Sequence, residues 1–97
     1  MWRIVVFCLG LMIALPAACA DAYEDCVQEQ DRDRTIRGCT EIIKVDPKFA
    51  FAYSNRGLAF EAKGNHDRAI ADYKKAIKLD PKYAPAKEGL KRLGASP

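Results

Sequence analysis

The sequence copies itself at a fixed interval. Lys44-Val45-Asp46-Pro47-Lys48-Phe49-Ala50-Phe51-Ala52 recurs 34 residues later as Lys78-Leu79-Asp80-Pro81-Lys82-Tyr83-Ala84-Pro85-Ala86. The copying extends backwards, with Asp33-Arg34-Thr35-Ile36 matching Asp67-Arg68-Ala69-Ile70 at the same offset, so that about half of the positions from Asp33 to Ala52 equal their counterparts. A period of this length marks a supersecondary unit that cannot bury its apolar face alone and stacks on the next one. The chain is thereby confined to a short linear array.

The residues within the period read as helices. Asp46 and Asp80 are suited to cap a helix start, since a carboxylate accepts the free amides of a first turn. Pro47 and Pro81 then fall at the first helical position, where a missing N–H costs nothing. Gly64-Asn65 breaks the long helical stretch, the glycine taking a left-handed exit and the asparagine capping the next helix. Helices are expected near 21–29, 33–45, 47–63, 66–79 and 81–93. In the third, Tyr53, Gly57 and Phe60 recur at steps of three and four. In the fourth, Ala69, Ile70, Tyr73, Ala76 and Ile77 line one face. Gly57 and Ala69 are small where paired helices would approach most closely.

Residues 50–83 resemble one complete tetratricopeptide repeat, its signature positions carried by Tyr53, Gly57, Phe60, Ala69, Tyr73, Ala76 and Pro81. Arg56 departs from the pattern, standing where the family usually has leucine; its stem can pack while its charge reaches water. Residues 21–49 resemble a degenerate preceding repeat with a shortened first helix. Residues 84–97 resemble the closing helix and tail of such arrays, with Lys87, Lys91 and Arg92 facing water. The resemblance implies an all-α fold of antiparallel helix-turn-helix repeats, about one and a half of them plus a capping helix. It also implies a non-catalytic module that binds protein partners or peptides on the concave surface of the first helices.

Carried onto this chain, that surface comprises Phe51, Ser54, Asn55, Leu58, Glu61 and Ala62. Asn55 would hydrogen-bond an extended backbone. Phe51 and Leu58 would either bury a partner's apolar side chains or else pack on the neighbouring repeat or stand simply exposed. Some family members grip a terminal carboxylate with basic and amide side chains on successive first helices. Here Asn55 matches one such position, but Ala20, Glu24, Pro85 and Gly89 fill the others and none can serve. A homo-oligomer would deepen the shallow groove that one and a half repeats make.

The chain opens with Met1-Trp2-Arg3, continues with an apolar run from Ile4 to Leu15, and reaches Pro16-Ala17-Ala18-Cys19-Ala20 before the first acidic residue, Asp21. A charged start, an apolar middle and a small-x-small site are the plan of a secretory signal peptide. The run is shorter than the roughly 20 residues needed to span a bilayer. Residues 1–20 are therefore expected to be a cleaved signal helix and 21–97 the exported helical domain, periplasmic or secreted, with no stable membrane span left after cleavage. One alternative is an uncleaved N-terminal anchor; another is a structural envelope-associated protein without a discrete ligand, lipid-anchored at Cys19. Against it, Pro16 stands where a lipoprotein signal wants an aliphatic residue. Charge is uneven: residues 21–73 carry 8 basic and 11 acidic side chains, residues 74–97 carry 7 and 2. The near balance argues against nucleic acid as a partner.

Cys26 and Cys39 remain beyond the signal, and two cysteines in a small exported domain usually pair. A turn centred on Asp31-Arg32-Asp33 leaves them about 4–5 Å out of level, within reach of a disulfide. In the register of the second repeat the mismatch approaches ~10 Å and the bond is expected to fail. Free thiols, a bridge between chains or a redox pair are the other readings, the last without the Cys-x-x-Cys spacing that activates a thiol. His66 has no second ligand at metal spacing. Ser54 and Ser96 have no glycine or histidine arrangement of a nucleophile site. No enzyme, metal or cofactor is expected.

Overall fold

The computed structural model describes residues 16–97, so that the expected signal segment lies outside the described residues except for 16–20. Five helices follow one another, with no strand among the described residues: α1 (Pro16–Val27), α2 (Arg32–Val45), α3 (Ala50–Ala62), α4 (His66–Leu79) and α5 (Ala84–Arg92). The fold is all-α, of helix-turn-helix pairs.

Asp46 and Asp80 end helices rather than begin them. The Asp46 amide donates to Ile42 O at 2.8 Å, closing α2, while its carboxylate accepts from Lys48 N at 3.2 Å and its carbonyl from Phe49 N at 3.2 Å. Asp80 repeats this with Ala76, Lys82 and Tyr83. Each Asp-Pro-Lys segment is thus a tight turn with aspartate first and proline second, the order that turn geometry favours. Pro47 and Pro81 are spent in these turns, so α3 starts at Ala50 rather than 47 and α5 at Ala84 rather than 81. Gly64, at φ +86°, takes the left-handed exit from α3, and Asn65 caps α4 by accepting from Arg68 N.

Helices α3 and α5 begin at Ala50 and Ala84, and α2 and α4 at Arg32 and His66, so both pairs are offset by the 34 residues visible in the sequence. Residues 16–20 are helical and continuous with Asp21–Val27 in α1.

Cys26 and Cys39 are joined by a disulfide with their Cα atoms 4.5 Å apart. The bond exists in the register expected to forbid it, because the connection between α1 and α2 does not reverse flat. Gln28 braces it: its Oε1 accepts from Gln30 N (2.8 Å) and Asp31 N (2.9 Å), and its Nε2 donates to Thr35 Oγ1 (2.7 Å). Gly38 lets the helices close. A β-carbon there would sit 2.6 Å from Ala22 O and 2.7 Å from Cys26 N, backbone atoms that cannot step aside.

Helix α3 has no polar stripe and is packed on several sides, as such a helix must be. It contributes Ala52 to a core with Ala22, Cys26, Cys39 and Ile42. It contributes Ala50, Tyr53 and Phe60 to another with Ala69, Tyr73, Ala76, Ala86 and Leu90. Gly57 meets α4 as expected: a β-carbon there would lie 3.2 Å from Ala69 O. Arg56 does not send its charge to water. Its guanidinium pairs with the buried Asp72 of α4 (Nε–Oδ2 2.8 Å, Nη2–Oδ1 2.9 Å) and donates to Thr40 Oγ1 of α2 at 3.1 Å. Three helices meet at that one side chain.

Two outcomes test this packing. Reducing Cys26–Cys39 is expected to lower Tm by about 10 °C or more while most helicity persists, since closing a loop of about 14 residues contributes about 3 kcal/mol. Circular-dichroism melts with and without a phosphine reductant read it, and an unmoved Tm would deny the staple. Arg56→Leu, which restores the family's usual residue, leaves Asp72 buried without its cation and should cost about 2 kcal/mol. Adding Asp72→Leu should recover most of that loss in urea denaturation; purely additive costs would show that the pair is not coupled.

Candidate functional site

Helices α1, α3 and α5 lie side by side, with α2 and α4 behind them. Between α3 and α5 the surface falls into an open groove of about 430 Å³. Helix α3 supplies Ser54, Asn55 and Leu58; α5 supplies Ala84, Pro85, Glu88 and Arg92; Tyr73 of α4 forms the floor. The groove exists because α5 cannot climb further onto α3. Gly89 already lies against Tyr73, where a β-carbon would overlap the ring.

The six residues assigned to this face from the sequence have different fates. Leu58 is 44% exposed and lines the groove. Ser54 lines it too, although only 4% exposed. No hydrogen bond of the described residues engages its hydroxyl, and no side-chain oxygen sealed from solvent lacks a partner, so the hydroxyl opens to solvent in the groove. Asn55 also lines the groove, and its Nδ2 donates to Cys26 O at 2.8 Å, tying the groove wall to the disulfide-bearing end of α1. Its Oδ1 and second N–H remain unspent.

Phe51 is half-buried and packs on the core that holds the disulfide, its ring centroid 5.5 Å from that of Phe49. The packing between repeats that the sequence leaves open for Phe51 is thus present, and part of the side chain stays accessible. Ala62 is exposed at the end of α3, outside the groove lining.

Glu61 is held by its neighbours. It accepts from the Tyr73 hydroxyl at 2.7 Å and from Arg92 at 2.9 and 3.0 Å. Arg92, expected to face water alongside Lys87 and Lys91, thus turns back across the groove end and ties α5 to α3. The Arg92 hydrogen bonds hold the Glu61 carboxyl below its ordinary value of 4.5, against burial, which pushes it up. Burial first, then the bond to Glu61, pushes the Tyr73 phenol well above its ordinary range.

Reading the sequence alone misses Glu88 and the Tyr73–Glu61–Arg92 cluster. Glu61 and Arg92 stand 31 residues apart, so no helical spacing links them. Asp72 and Arg56 carried a usable signal, being opposite charges on the inward faces of two helices paired by the repeat. Among the described residues no group of His, Cys, Asp or Glu has the arrangement to hold a metal ion, and no helix is long and apolar enough to cross a membrane.

Residues 50–83, which span α3, α4 and the turn to Tyr83, match the family model of the tetratricopeptide repeat. No curated protein and no solved structure gives a significant match to the chain.

The cluster makes a pH prediction. A carboxylate whose folded pKa is depressed contributes stability that is complete above its unfolded value, here 4.5, and is lost as pH falls through the lower folded value. The Tm of the wild-type chain should therefore drop further between about pH 7 and about pH 3 than that of Glu61→Gln, the two converging at the acid end. Parallel curves would mean that the Arg92 bonds do not hold α5.

Proposed function

We propose that this chain is a small exported interaction module that holds a segment of another protein on the concave face formed by α1, α3 and α5. Tetratricopeptide repeats generally mediate protein–protein interaction, and residues 50–83 match that family. The observation that carries the reading is the composition of the α3–α5 groove. It combines an exposed Leu58 with a Ser54 hydroxyl and half of the Asn55 amide, none of which the fold uses up. An apolar contact flanked by a few convergent polar groups is what recognition of an extended segment requires.

Export is supported by the charged start, the apolar run and the small-x-small site at 18–20. Cleavage after Ala20 would leave Asp21–Val27 of α1. So short a helix has little stability of its own. The Cys26–Cys39 bond and the Asp25–Arg34 ion pair would then hold it on α2. An oxidising compartment outside the cytoplasm is where such a bond persists.

Two measurements test the proposal. Mass spectrometry of the chain recovered from cells should find Asp21 as the amino terminus; an intact Met1 or an acylated Cys19 would contradict cleavage there. Affinity capture from an envelope extract should recover a partner with the wild-type chain and with Lys78→Glu on the outer side of α4, but at least about tenfold less with Leu58→Arg. Equal recovery by all three would remove the groove from the interaction.

A further inference from the structure

The charge of the α1–α3–α5 face is opposite to that of the chain. The whole sequence carries a formal net charge of +3. Exposed lysines crowd α4 and α5: Lys74, Lys75, Lys78, Lys87 and Lys91. The face is different. Within the groove, Arg92 is consumed by two hydrogen bonds to Glu61, so that pair contributes no net charge. Glu88 remains, exposed and with no cation within ion-pair distance among the described residues. Along the same face on α1 the register supplies the next group. Since α2 and α4 start 34 residues apart, Glu24 holds on α1 the position that Leu58 holds on α3. It is exposed and pairs with no cation among the described residues. The face therefore presents two carboxylates, Glu24 and Glu88, that no cation of the described residues neutralises.

We infer that the α3–α5 groove takes an extended, lysine- or arginine-bearing segment of a partner protein. Its apolar side chain sits on Leu58 and Pro85, and its cations face Glu88 and Glu24. This rests on the groove being the docking site. The Ser54 hydroxyl, 4% exposed and without a protein partner, supplies a hydrogen bond to the segment's backbone, and the free half of Asn55 a second. A glutamate- or aspartate-bearing segment would meet like charge along the same path, and like-charge juxtaposition is how an interface rejects a wrong partner. The one cation lining the groove among the described residues, Arg92, is already bound, so an anionic segment would have to displace Glu61 to reach it.

The test uses the purified chain, nitrogen-15 labelled, titrated with two end-blocked ten-residue peptides. One is built of lysine, leucine and serine; the other has glutamate at every lysine. The lysine peptide should shift the amide resonances of Ser54, Asn55, Leu58 and Glu88 and bind at least about tenfold more tightly than the glutamate peptide at low salt. The gap should narrow at about 0.5 M salt, where exposed charges are screened. Glu24→Lys combined with Glu88→Lys changes only exposed side chains and should reverse the preference, with the far-UV circular dichroism unchanged. Ser54→Ala should weaken both peptides alike.

Equal shifts at the groove residues by both peptides would overturn the charge preference and leave the groove as the docking site. Shifts by neither would remove the groove itself. Shifts that grow with protein concentration before any peptide is added would assign the groove to a second copy of the chain and overturn a foreign segment as its occupant.

Discussion

The structure depends on one aromatic ring held between two glycines. Tyr73 of α4 has Gly57 of α3 on one edge, where a β-carbon would stand 3.1 Å from Cδ1 and Cε1, and Gly89 of α5 on the other, where it would overlap Cε2 and Cζ. The absence of a side chain at both places lets three helices close on one residue that is 1% exposed. The buried hydroxyl then needs a partner, as buried polar groups do. Glu61 accepts from it and, being a carboxylate, draws in Arg92. A packing contact, a hydrogen bond and an ion pair are thus successive consequences of the same burial. Together they set how closely α5 approaches α3, and that distance is the width of the groove.

The first hairpin solves the same problem by covalent means. Cys26 and Cys39 stand one period before Phe60 and Tyr73, so the disulfide occupies the place that two aromatic rings fill in the second hairpin. Likewise Ala22 and Gly38 stand one period before Arg56 and Asp72, and the ion pair of the second hairpin has no counterpart in the first. Two small residues where a bidentate pair could be, and two thiols where rings could be, leave the first hairpin little to bury. Arrays of this kind ordinarily draw stability from several stacked units. In a chain with so few, a cross-link that restricts the unfolded state substitutes for missing core.

The two ends are joined through α3. It buries Ala52 against the disulfide core and Tyr53 and Phe60 in the other, and its Asn55 reaches back to the carbonyl of Cys26. What α3 leaves uncovered is narrow: Leu58, the Ser54 hydroxyl and part of Asn55. The proposed docking site is the remainder after packing, which is why its polar groups are few and already oriented.

The sequence by itself determined the helical hairpins and their interval, because a 34-residue repeat with alternating small and large residues has only one way to bury its apolar faces. It also marked Ser54, Asn55 and Leu58 as lying on one face, since that follows from helical spacing alone. It could not decide the helix starts at Ala50 and Ala84. Asp-Pro serves a helix cap and a tight turn equally well, and only the competition with the preceding helix for the aspartate's amide settles which. The pairing of Cys26 with Cys39 was legible in the sequence, but the register in which the bond forms was not, because the Gln28–Asp31 connection is held by side-chain bonds from Gln28 that no spacing rule contains. The pairing of Arg92 with Glu61 and the recruitment of Glu88 to the groove belong wholly to the tertiary structure. Residues far apart in the chain meet there only because Tyr73 has drawn α3, α4 and α5 around itself.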